Sequence, residues 1–555
     1  MKQLPVILLA LNACFVVPAS AQLFGAKYTG THADSVRGSY GTYRNWWDVQ
    51  KYDLQVEPDI TAHTLTGKNT ISFTVLRTPD KLQLDLQKPM RLDSVLYKGK
   101  KLSFERYEQA YLVTINPLPR VGDQVVLEAY YHGMPREATN PPWDGGLIWT
   151  TDDEGNPWVS VACQGLGASV WWPVKDHGSD EPDQGVRLSV TVPLNMVDAS
   201  NGRLQGEQTV GTKKMYTWEV KAPINIYDVT MNVGQYIHFG DVYSGLSGPL
   251  SVDFWFLKQH EAIAKKHLLE ETKEMLKTFE YWFGPYPFYE DGYKLIETPF
   301  LGMEHQSGIA YGNKFMKGYL GSDLSNTGWG LKWDYILVHE SGHEWFGNNI
   351  STDDVADMWV HEGFTTYSEV LFVQTRYGKK AGDEYARGLR NNILNDKPII
   401  GPYGINREGS GDMYFKGVQI IHTYRQILND DEKFRDMLHE MNRRFGHKTT
   451  TTQAVEALMQ EYVPGVPLKP FFDTYLRTIY VPALSRIWIK ADKGYRLQLQ
   501  FTNVESGFTM PVDITVGKQS YRVTVSDEST ATDITDSAGK SEVTVSPNYY
   551  VTVQP

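Results

Sequence analysis

Alternating apolar and polar residues dominate the first half of the chain. The alternation is clearest at residues 52–56, 71–75, 82–86 and 188–192, and clusters of Gly, Pro, Asn and Asp separate these runs. Successive side chains of a β-strand point to opposite faces of a sheet, so a period of two indicates strands with one buried face. The pattern predicts an N-terminal β domain over residues 22–257.

The spacing of apolar residues changes after Lys258. Intervals of four and seven residues, which place side chains on one face of a helix, separate Ala264, Leu268, Met275, Phe279 and Phe283. Gly284 and Pro285 then end the run, as expected at a helix C-terminus. Helical patterning continues to about residue 480. We therefore predict a mainly helical domain over residues 258–482.

Strand-like alternation returns beyond Pro482, for example at Leu497, Leu499 and Phe501. This tail predicts a small C-terminal β-sandwich over residues 483–555. The chain of 555 residues is also too long for one hydrophobic core, given about 100–200 residues per domain. The expected fold class is therefore multidomain α+β.

Charge and cysteine content exclude several classes of protein. The chain has 54 Lys and Arg against 66 Asp and Glu, a net charge of −12. A nucleic-acid-binding protein needs a basic surface for phosphates, so we expect no nucleic-acid partner. The 2 cysteines, Cys14 and Cys163, exclude a disulfide scaffold and a Cys-based zinc cluster.

The first residues have the pattern of a secretory signal peptide. Lys2 precedes a mostly apolar stretch over 6–17, and Ala19-Ser20-Ala21 is a small-residue cleavage site. We predict a signal peptide over residues 1–21 and an exported protein, periplasmic or extracellular. The alternative is a lipid anchor on Cys14 at the outer surface, but the apolar run continues past Cys14. No later stretch has about 18 uninterrupted apolar residues, so no transmembrane segment is expected.

The most informative motif is His339-Glu340-Ser341-Gly342-His343. On a helix, residues four apart share one face, so His339 and His343 could bind one Zn²⁺ through their imidazoles. Glu340 could accept a proton from a water at the metal as general base. Such a motif is expected by chance only about 0.02 times in a chain of this composition. The alternative is a charged helix face without a metal.

A catalytic zinc needs a third protein ligand and an open position for water. Glu362 follows His343 after eighteen intervening residues, in a segment that also has a helical pattern. Glu369 lies seven residues further, two turns along the same helix face. We predict Glu362 as the third ligand and Glu369 as a partner that orients a ligand imidazole. An ordinary solvated glutamate is the alternative for Glu369.

These motifs resemble the gluzincin aminopeptidases, the group of aminopeptidase N and the leukotriene hydrolase. The resemblance covers about residues 45–480. Besides the zinc motif followed by Glu362-Gly363-Phe364, it rests on Leu301-Gly302-Met303-Glu304-His305 (the family's G-x-M-E-N), Tyr414-Phe415-Lys416-Gly417 (its Y-x-K-G), Cys163-Gln164 with Trp172-Pro173, and Tyr52-Asp53-Leu54. It implies an N-terminal antiparallel β saddle followed by a thermolysin-like zinc domain.

The resemblance also implies roles for particular residues. One Zn²⁺ per chain would be held by His339, His343 and Glu362, with Glu340 as general base and Tyr414 as donor to the oxyanion. Glu304 would bind the α-ammonium of a peptide with a free N-terminus. Four residues would assist Glu304 in binding substrate: Gln164, Gly302, Met303 and His305. Cys163 is expected to be a small buried residue.

The sequence departs from the family at three positions. His305 and His361 stand where the family usually has Asn, and Leu301 stands where Gly is usual. We expect these three side chains to line the substrate cleft. Because only about 70 residues of β pattern follow residue 482, we do not expect the family's long C-terminal helical domain.

The sequence favours a secreted zinc aminopeptidase among three hypotheses. The second is an endopeptidase, or a hydrolase of non-peptide substrates, on the same scaffold. The third is a binding module without catalysis, against which the intact set of motif residues argues. The oligomeric state is open, with a monomer favoured.

Overall fold

The computed structural model describes residues 30–554, so the predicted signal peptide lies outside the described range. The fold is α+β, with a β-rich N-terminal region, a helical central region and a C-terminal β-sandwich. None of the helices in the described range is both long and apolar enough to cross a membrane.

The N-terminal region contains one short α-helix and fifteen strands among the described residues. The helix is α1 (His32–Gly38). The strands are β1 (Trp47–Asp59), β2 (Thr64–Val75), β3 (Leu82–Asp85), β4 (Arg91–Tyr97), β5 (Lys100–Lys101), β6 (Ser103–Tyr107), β7 (Ala110–Thr114), β8 (Gln124–Gly133), β9 (Gly146–Thr151), β10 (Pro157–Ala162), β11 (Val186–Pro193), β12 (Val197–Ser200), β13 (Arg203–Val210), β14 (Lys213–Val220) and β15 (Met231–Gly234).

An eight-stranded sheet in the order β13-β14-β11-β1-β2-β8-β4-β5 forms the base of this region. All its pairs are antiparallel except β1 with β11, which run parallel from Tyr52 opposite Val186 to Val56 opposite Val190. The alternation in β1 buries Tyr52, Leu54 and Val56. Two smaller sheets, β3-β7-β6 and β12-β15-β10-β9, complete the region.

The next sheet crosses the boundary that the sequence places at residue 257. Its order is β16-β17-β18-β20-β19, with β16 (Tyr236–Gly245) and β17 (Gly248–Leu257) before the boundary. The other strands lie beyond it: β18 (Tyr293–Glu297), β19 (Gly302–Met303) and β20 (Ile309–Tyr311). Because β17 hydrogen-bonds to β18, the last strand pair of the predicted N-terminal domain joins the sheet of the central domain.

The central region is mainly helical, as the spacing predicts. Its longest helix is α2 (Glu261–Phe283), which ends where Gly284 adopts φ of 95°. The remaining α-helices and strands are α3 (Tyr335–Gly342), β21 (Ile350–Thr352), α4 (Trp359–Tyr377), α5 (Lys379–Gly388), α6 (Phe415–Leu428), α7 (Asp431–Phe445), β22 (Lys448–Thr450), α8 (Thr452–Tyr462) and α9 (Lys469–Arg477).

The C-terminal region is a sandwich of two sheets, β27-β24-β23-β29 and β26-β25-β28. Its strands are β23 (Ala483–Lys490), β24 (Tyr495–Thr502), β25 (Thr509–Val516), β26 (Gln519–Ser526), β27 (Thr530–Asp536), β28 (Val543–Val545) and β29 (Thr552–Val553). Arg522 fixes the sandwich to α6 by donating hydrogen bonds of 2.8 Å to the carbonyls of Gln426 and Ile427. One apolar core is continuous between the central helical region and this C-terminal sandwich, and it includes Leu497 and Phe501 of the sandwich.

Candidate active site

The zinc motif lies on α3, a short helix whose residues are all buried. Asp334 precedes the helix, and its carboxylate accepts a hydrogen bond from the backbone N–H of Leu337 at 3.2 Å, which satisfies an otherwise unpaired donor of the first turn. His343 follows the last residue of α3 while still in helical conformation. The chain then turns at Gly347, whose φ of 130° suits glycine and brings the Phe346 carbonyl back toward His343.

The two imidazoles are oriented through their Nδ1 atoms. His339 Nδ1 lies 2.7 Å from Glu369 Oε1, and His343 Nδ1 lies 2.9 Å from the Phe346 carbonyl oxygen. Tyr385, in turn, donates a hydrogen bond of 2.7 Å to the other oxygen of Glu369. Such partners fix the tautomer in which each Nε2 carries a lone pair, as a metal ligand requires.

The free Nε2 atoms converge on Glu362. Glu362 Oε2 lies 3.3 Å from His343 Nε2 and 3.7 Å from His339 Nε2. The three donor atoms all lie within 4.8 Å of one another, and the buried Oε2 atom has no hydrogen-bond partner of its own. Two imidazoles and one carboxylate in this arrangement fit a tetrahedral Zn²⁺ site with one position left for water.

Glu340 lies beside this cluster and against strand β19. Burial raises the pKa of its carboxyl to about 7, and the Glu304 and Glu362 carboxylates add to that rise, while the two histidines oppose it. A Cβ at Gly302 would lie 2.7 Å from Glu340 Oε1, so glycine at this position gives the carboxylate room against the strand. Donor atoms of Glu340, Glu304 and His343 also lie within 4.8 Å of one another.

Glu304 is held in place from three sides. Its carboxylate accepts hydrogen bonds from the Gln164 amide and, at 2.9 Å, from the Tyr227 hydroxyl. Its backbone carbonyl accepts a hydrogen bond of 2.7 Å from Asn348. Burial raises the pKa of the carboxyl, partly offset by His343. The N-terminal region thus contributes two side chains, from residues 164 and 227, to a site on the central region.

Tyr414 lies at the start of α6, with its ring stacked on His339 at 6.1 Å between ring centroids. Burial, together with the Glu362 and Glu304 carboxylates, raises its pKa well above the usual 10. The hydroxyl therefore keeps its proton at neutral pH and is available as a hydrogen-bond donor next to the candidate metal position.

A cleft of about 550 Å³ contains these groups. Gln164, Gly302, Met303, Glu304 and Leu301 line it, together with the residues of the zinc cluster, Glu340 and Tyr414. His305 and His361, which the sequence places in the cleft, are not among its lining residues. His305, the residue after Glu304, is fully buried. His361 instead accepts a hydrogen bond of 3.0 Å from the backbone of Thr352.

Several residues of the site carry no recognisable signal in the sequence. Tyr227 and Tyr385 are two of 33 tyrosines, and neither belongs to a motif. Tyr227 reaches the site because the fold brings it against Glu304, 77 residues away in the sequence. Tyr385 is brought against Glu369, 16 residues away. Glu344, buried and hydrogen-bonded by Tyr286, Asn348 and the backbone of Ser307, supports the segment that carries Glu304.

Comparison with known proteins places this site in a family. The sequence profile of the peptidase family M1 domain matches residues 267–475. Leukotriene A-4 hydrolase of Xenopus laevis is 22% identical over 504 residues, which cover 81% of this chain and 76% of that protein. Aminopeptidase M1 of Arabidopsis thaliana is 23% identical over 464 residues, 79% of this chain and 51% of that protein. The chain thus spans about half the length of this aminopeptidase relative.

Solved structures share the fold. An M1 zinc metallopeptidase from Deinococcus radiodurans superimposes with a TM-score of 0.66 at 22% sequence identity, covering 79% of this chain and 94% of that one. The matched family domain contains the His339-to-Glu362 cluster, whose donor set suits zinc. The chain is therefore a zinc metallopeptidase whose residues 267–475 match the peptidase family M1 domain.

Proposed function

We propose that the protein is an exported aminopeptidase that removes residues one at a time from the N-terminus of peptides. The observation that carries the proposal is Glu304, a buried carboxylate oriented by Gln164 and Tyr227 next to the zinc cluster. A substrate α-ammonium bound there lies within reach of the metal position, because donor atoms of Glu304 and His343 are no more than 4.8 Å apart. This short separation favours the first peptide bond over internal ones.

The proposed mechanism assigns one task to each group. His339, His343 and Glu362 would hold Zn²⁺, which when bound supplies Lewis acidity that acidifies water and polarises the scissile carbonyl. Glu340 accepts a proton from the attacking water and passes it to the leaving amine. Tyr414 donates a hydrogen bond to the oxygen that becomes negative in the transition state. Glu304 holds the α-ammonium throughout.

Known relatives support peptides as substrates. The relatives include proteins named aminopeptidase M1 and glutamyl aminopeptidase, and one of the Deinococcus radiodurans structures is described as bound to the peptide substrate Tyr-Ser-Ala. Export is supported by the signal-peptide pattern over residues 1–21.

N-terminal acetylation of a peptide tests the proposal. Acetylation removes the positive charge that Glu304 binds, and a charge-assisted hydrogen bond contributes about 1.5–3 kcal/mol. We expect kcat/KM to fall at least about tenfold, since about 1.4 kcal/mol corresponds to a factor of ten. Glu304→Gln, which keeps the side-chain size, should lower cleavage of the free peptide similarly and affect the acetylated peptide much less, because both changes remove the same contact.

The products of a longer peptide provide the decisive control. Time-resolved mass spectrometry should detect single residues released from the N-terminus before any other fragment. Early internal fragments, or equal cleavage of free and acetylated peptides, would instead support the endopeptidase alternative on this scaffold.

Tyr414→Phe tests the proposed oxyanion donor. The substitution removes only the hydroxyl, and loss of one such donor typically lowers kcat by about 10²–10³-fold. We expect KM and zinc content to change little, because the ring still stacks on His339. Steady-state kinetics with zinc analysis checks this, and near-normal kcat would leave Tyr414 with a packing role alone.

A further inference from the structure

One carboxylate in the cleft has no part in the proposed mechanism. Glu408 lines the cleft with its side chain exposed to it. It makes no hydrogen bond or ion pair with any residue between 30 and 554. Shielding within the cleft and the Glu362 carboxylate raise the pKa of Glu408, while the charge of Lys397 lowers it. Because its side chain is exposed in the cleft, the Glu408 carboxyl group is accessible to a substrate that enters it.

The loop that carries Glu408 is fixed by backbone hydrogen bonds. Gly401 N–H donates to the Ala356 carbonyl at 3.0 Å, and Gly404 N–H donates to the Asp354 carboxylate at 2.8 Å. On the far side of Glu408, Ser410 N–H donates to the Pro398 carbonyl at 2.9 Å. Because hydrogen bonds fix the loop on both sides of Glu408, the fold determines where its carboxylate lies.

The same loop contacts the segment that helps to position Glu304. Asn406, two residues before Glu408, donates a hydrogen bond of 3.0 Å to the Gly165 carbonyl. Gln164, the residue before Gly165, donates a hydrogen bond to the Glu304 carboxylate. The loop of Glu408 is thus joined through Asn406 to the segment that positions Glu304, and both carboxylates line the same cleft.

The charges of the cleft leave Glu408 unbalanced. Among the described residues that line the cleft there is no Lys and no Arg. A bound zinc ion would balance the charges of Glu340 and Glu362, and a substrate α-ammonium would balance that of Glu304. Glu408 has no such counterpart among the described lining residues, since Lys397, which lowers its pKa, does not line the cleft. A partly desolvated carboxylate gains most from a cation, and Met303 and Met413 offer apolar surface to the methylene stem of a long basic side chain.

We propose that Glu408 binds the cationic side chain of a substrate whose first residue is Arg or Lys. The proposal rests on the proposed aminopeptidase function and names its preferred substrate class. It differs from the role of Glu304, which binds the α-ammonium common to all peptides. Glu408 is therefore a specificity residue, and neutral first residues do not depend on it.

Arginine and citrulline provide the matched pair of substrates for a test. They have nearly the same size and shape, but the side chain of citrulline is uncharged. We compare the anilides of Arg, citrulline and Leu with the zinc-loaded enzyme and with Glu408→Gln. The native enzyme should cleave the Arg anilide with kcat/KM at least about tenfold above that of citrulline, as expected for one charge-assisted contact. In Glu408→Gln the difference should fall below about threefold, with the Leu anilide almost unchanged.

Glu528→Gln is the control for the change of net charge. Glu528 is exposed on the C-terminal sandwich, outside the cleft. Its substitution should leave the preference for Arg over citrulline intact. Equal cleavage of Arg and citrulline by the native enzyme would overturn the proposal, and so would an unchanged preference in Glu408→Gln. An equal loss on all three anilides in Glu408→Gln would also overturn it, because it would indicate a general catalytic role.

The outcomes distinguish a failure of the Glu408 assignment from a failure of the proposed aminopeptidase function. If free-amine peptides are not shortened from the N-terminus, the aminopeptidase function fails. If they are shortened, but without a dependence on side-chain charge that requires Glu408, only the assignment of Glu408 fails.

Discussion

Glu340→Gln is expected to lower kcat by about 10²–10⁴-fold, the range for loss of a general base, while the protein retains one zinc per chain. The amide has the same size as the carboxyl but cannot accept the proton of the attacking water. Glu340 lies next to the ligand cluster without belonging to the trio of His339, His343 and Glu362. Its loss should therefore affect proton transfer and leave metal binding intact.

Zinc analysis and kinetics on the same preparation make this test conclusive. Glu340→Asp is the matched variant, because it keeps a carboxylate but withdraws it by one methylene. We expect Glu340→Asp to retain more activity than Glu340→Gln if proton transfer is what is lost. Loss of zinc from Glu340→Gln would show that the residue supports metal binding, and a nearly normal kcat would exclude it as the base.

The sequence predicts the layout of the fold well where the pattern is local. Alternation in β1 reflects which side chains face the core, and the switch to helical spacing occurs where α2 begins. The predicted boundary at residue 257 falls within one sheet. Strand β17 pairs with β18, although the whole of α2 lies between them in the sequence. Strand pairing depends on a partner that is distant in sequence, and the hydrophobic pattern of one strand does not identify that partner.

The candidate site likewise combines residues whose positions follow from local spacing with residues whose positions depend on distant parts of the chain. The positions of His339, His343, Glu362 and Glu369 follow from spacing on two helices, and the structure brings the four side chains together. The directions of His305 and His361 could not be predicted. His305 follows Glu304 and His361 precedes Glu362, and although both glutamates line the cleft, the two histidines are buried away from it. Glu408 was not predicted either, since its place depends on a loop fixed by residues far away in the sequence.

His343→Ala is expected to lose most of the zinc and nearly all activity. Of the three ligand atoms within 4.8 Å of one another, the substitution removes one nitrogen and leaves a single imidazole and Glu362. Two protein ligands are too few for a stable catalytic zinc site. The buried Glu362 carboxylate would also lose its nearest imidazole, at 3.3 Å, which further weakens the arrangement.

The N-terminal β region should remain folded in His343→Ala, because its core is a separate apolar cluster that does not include residues of α3. Circular dichroism checks the fold, and elemental analysis gives the zinc content. His361→Asn is the matched control, since it removes another buried histidine close to Glu362 that is not part of the ligand trio. We expect His361→Asn to keep its zinc. Full zinc occupancy in His343→Ala would refute the ligand assignment, and equal zinc loss in both variants would indicate that packing around α4, rather than coordination by His343, holds the metal.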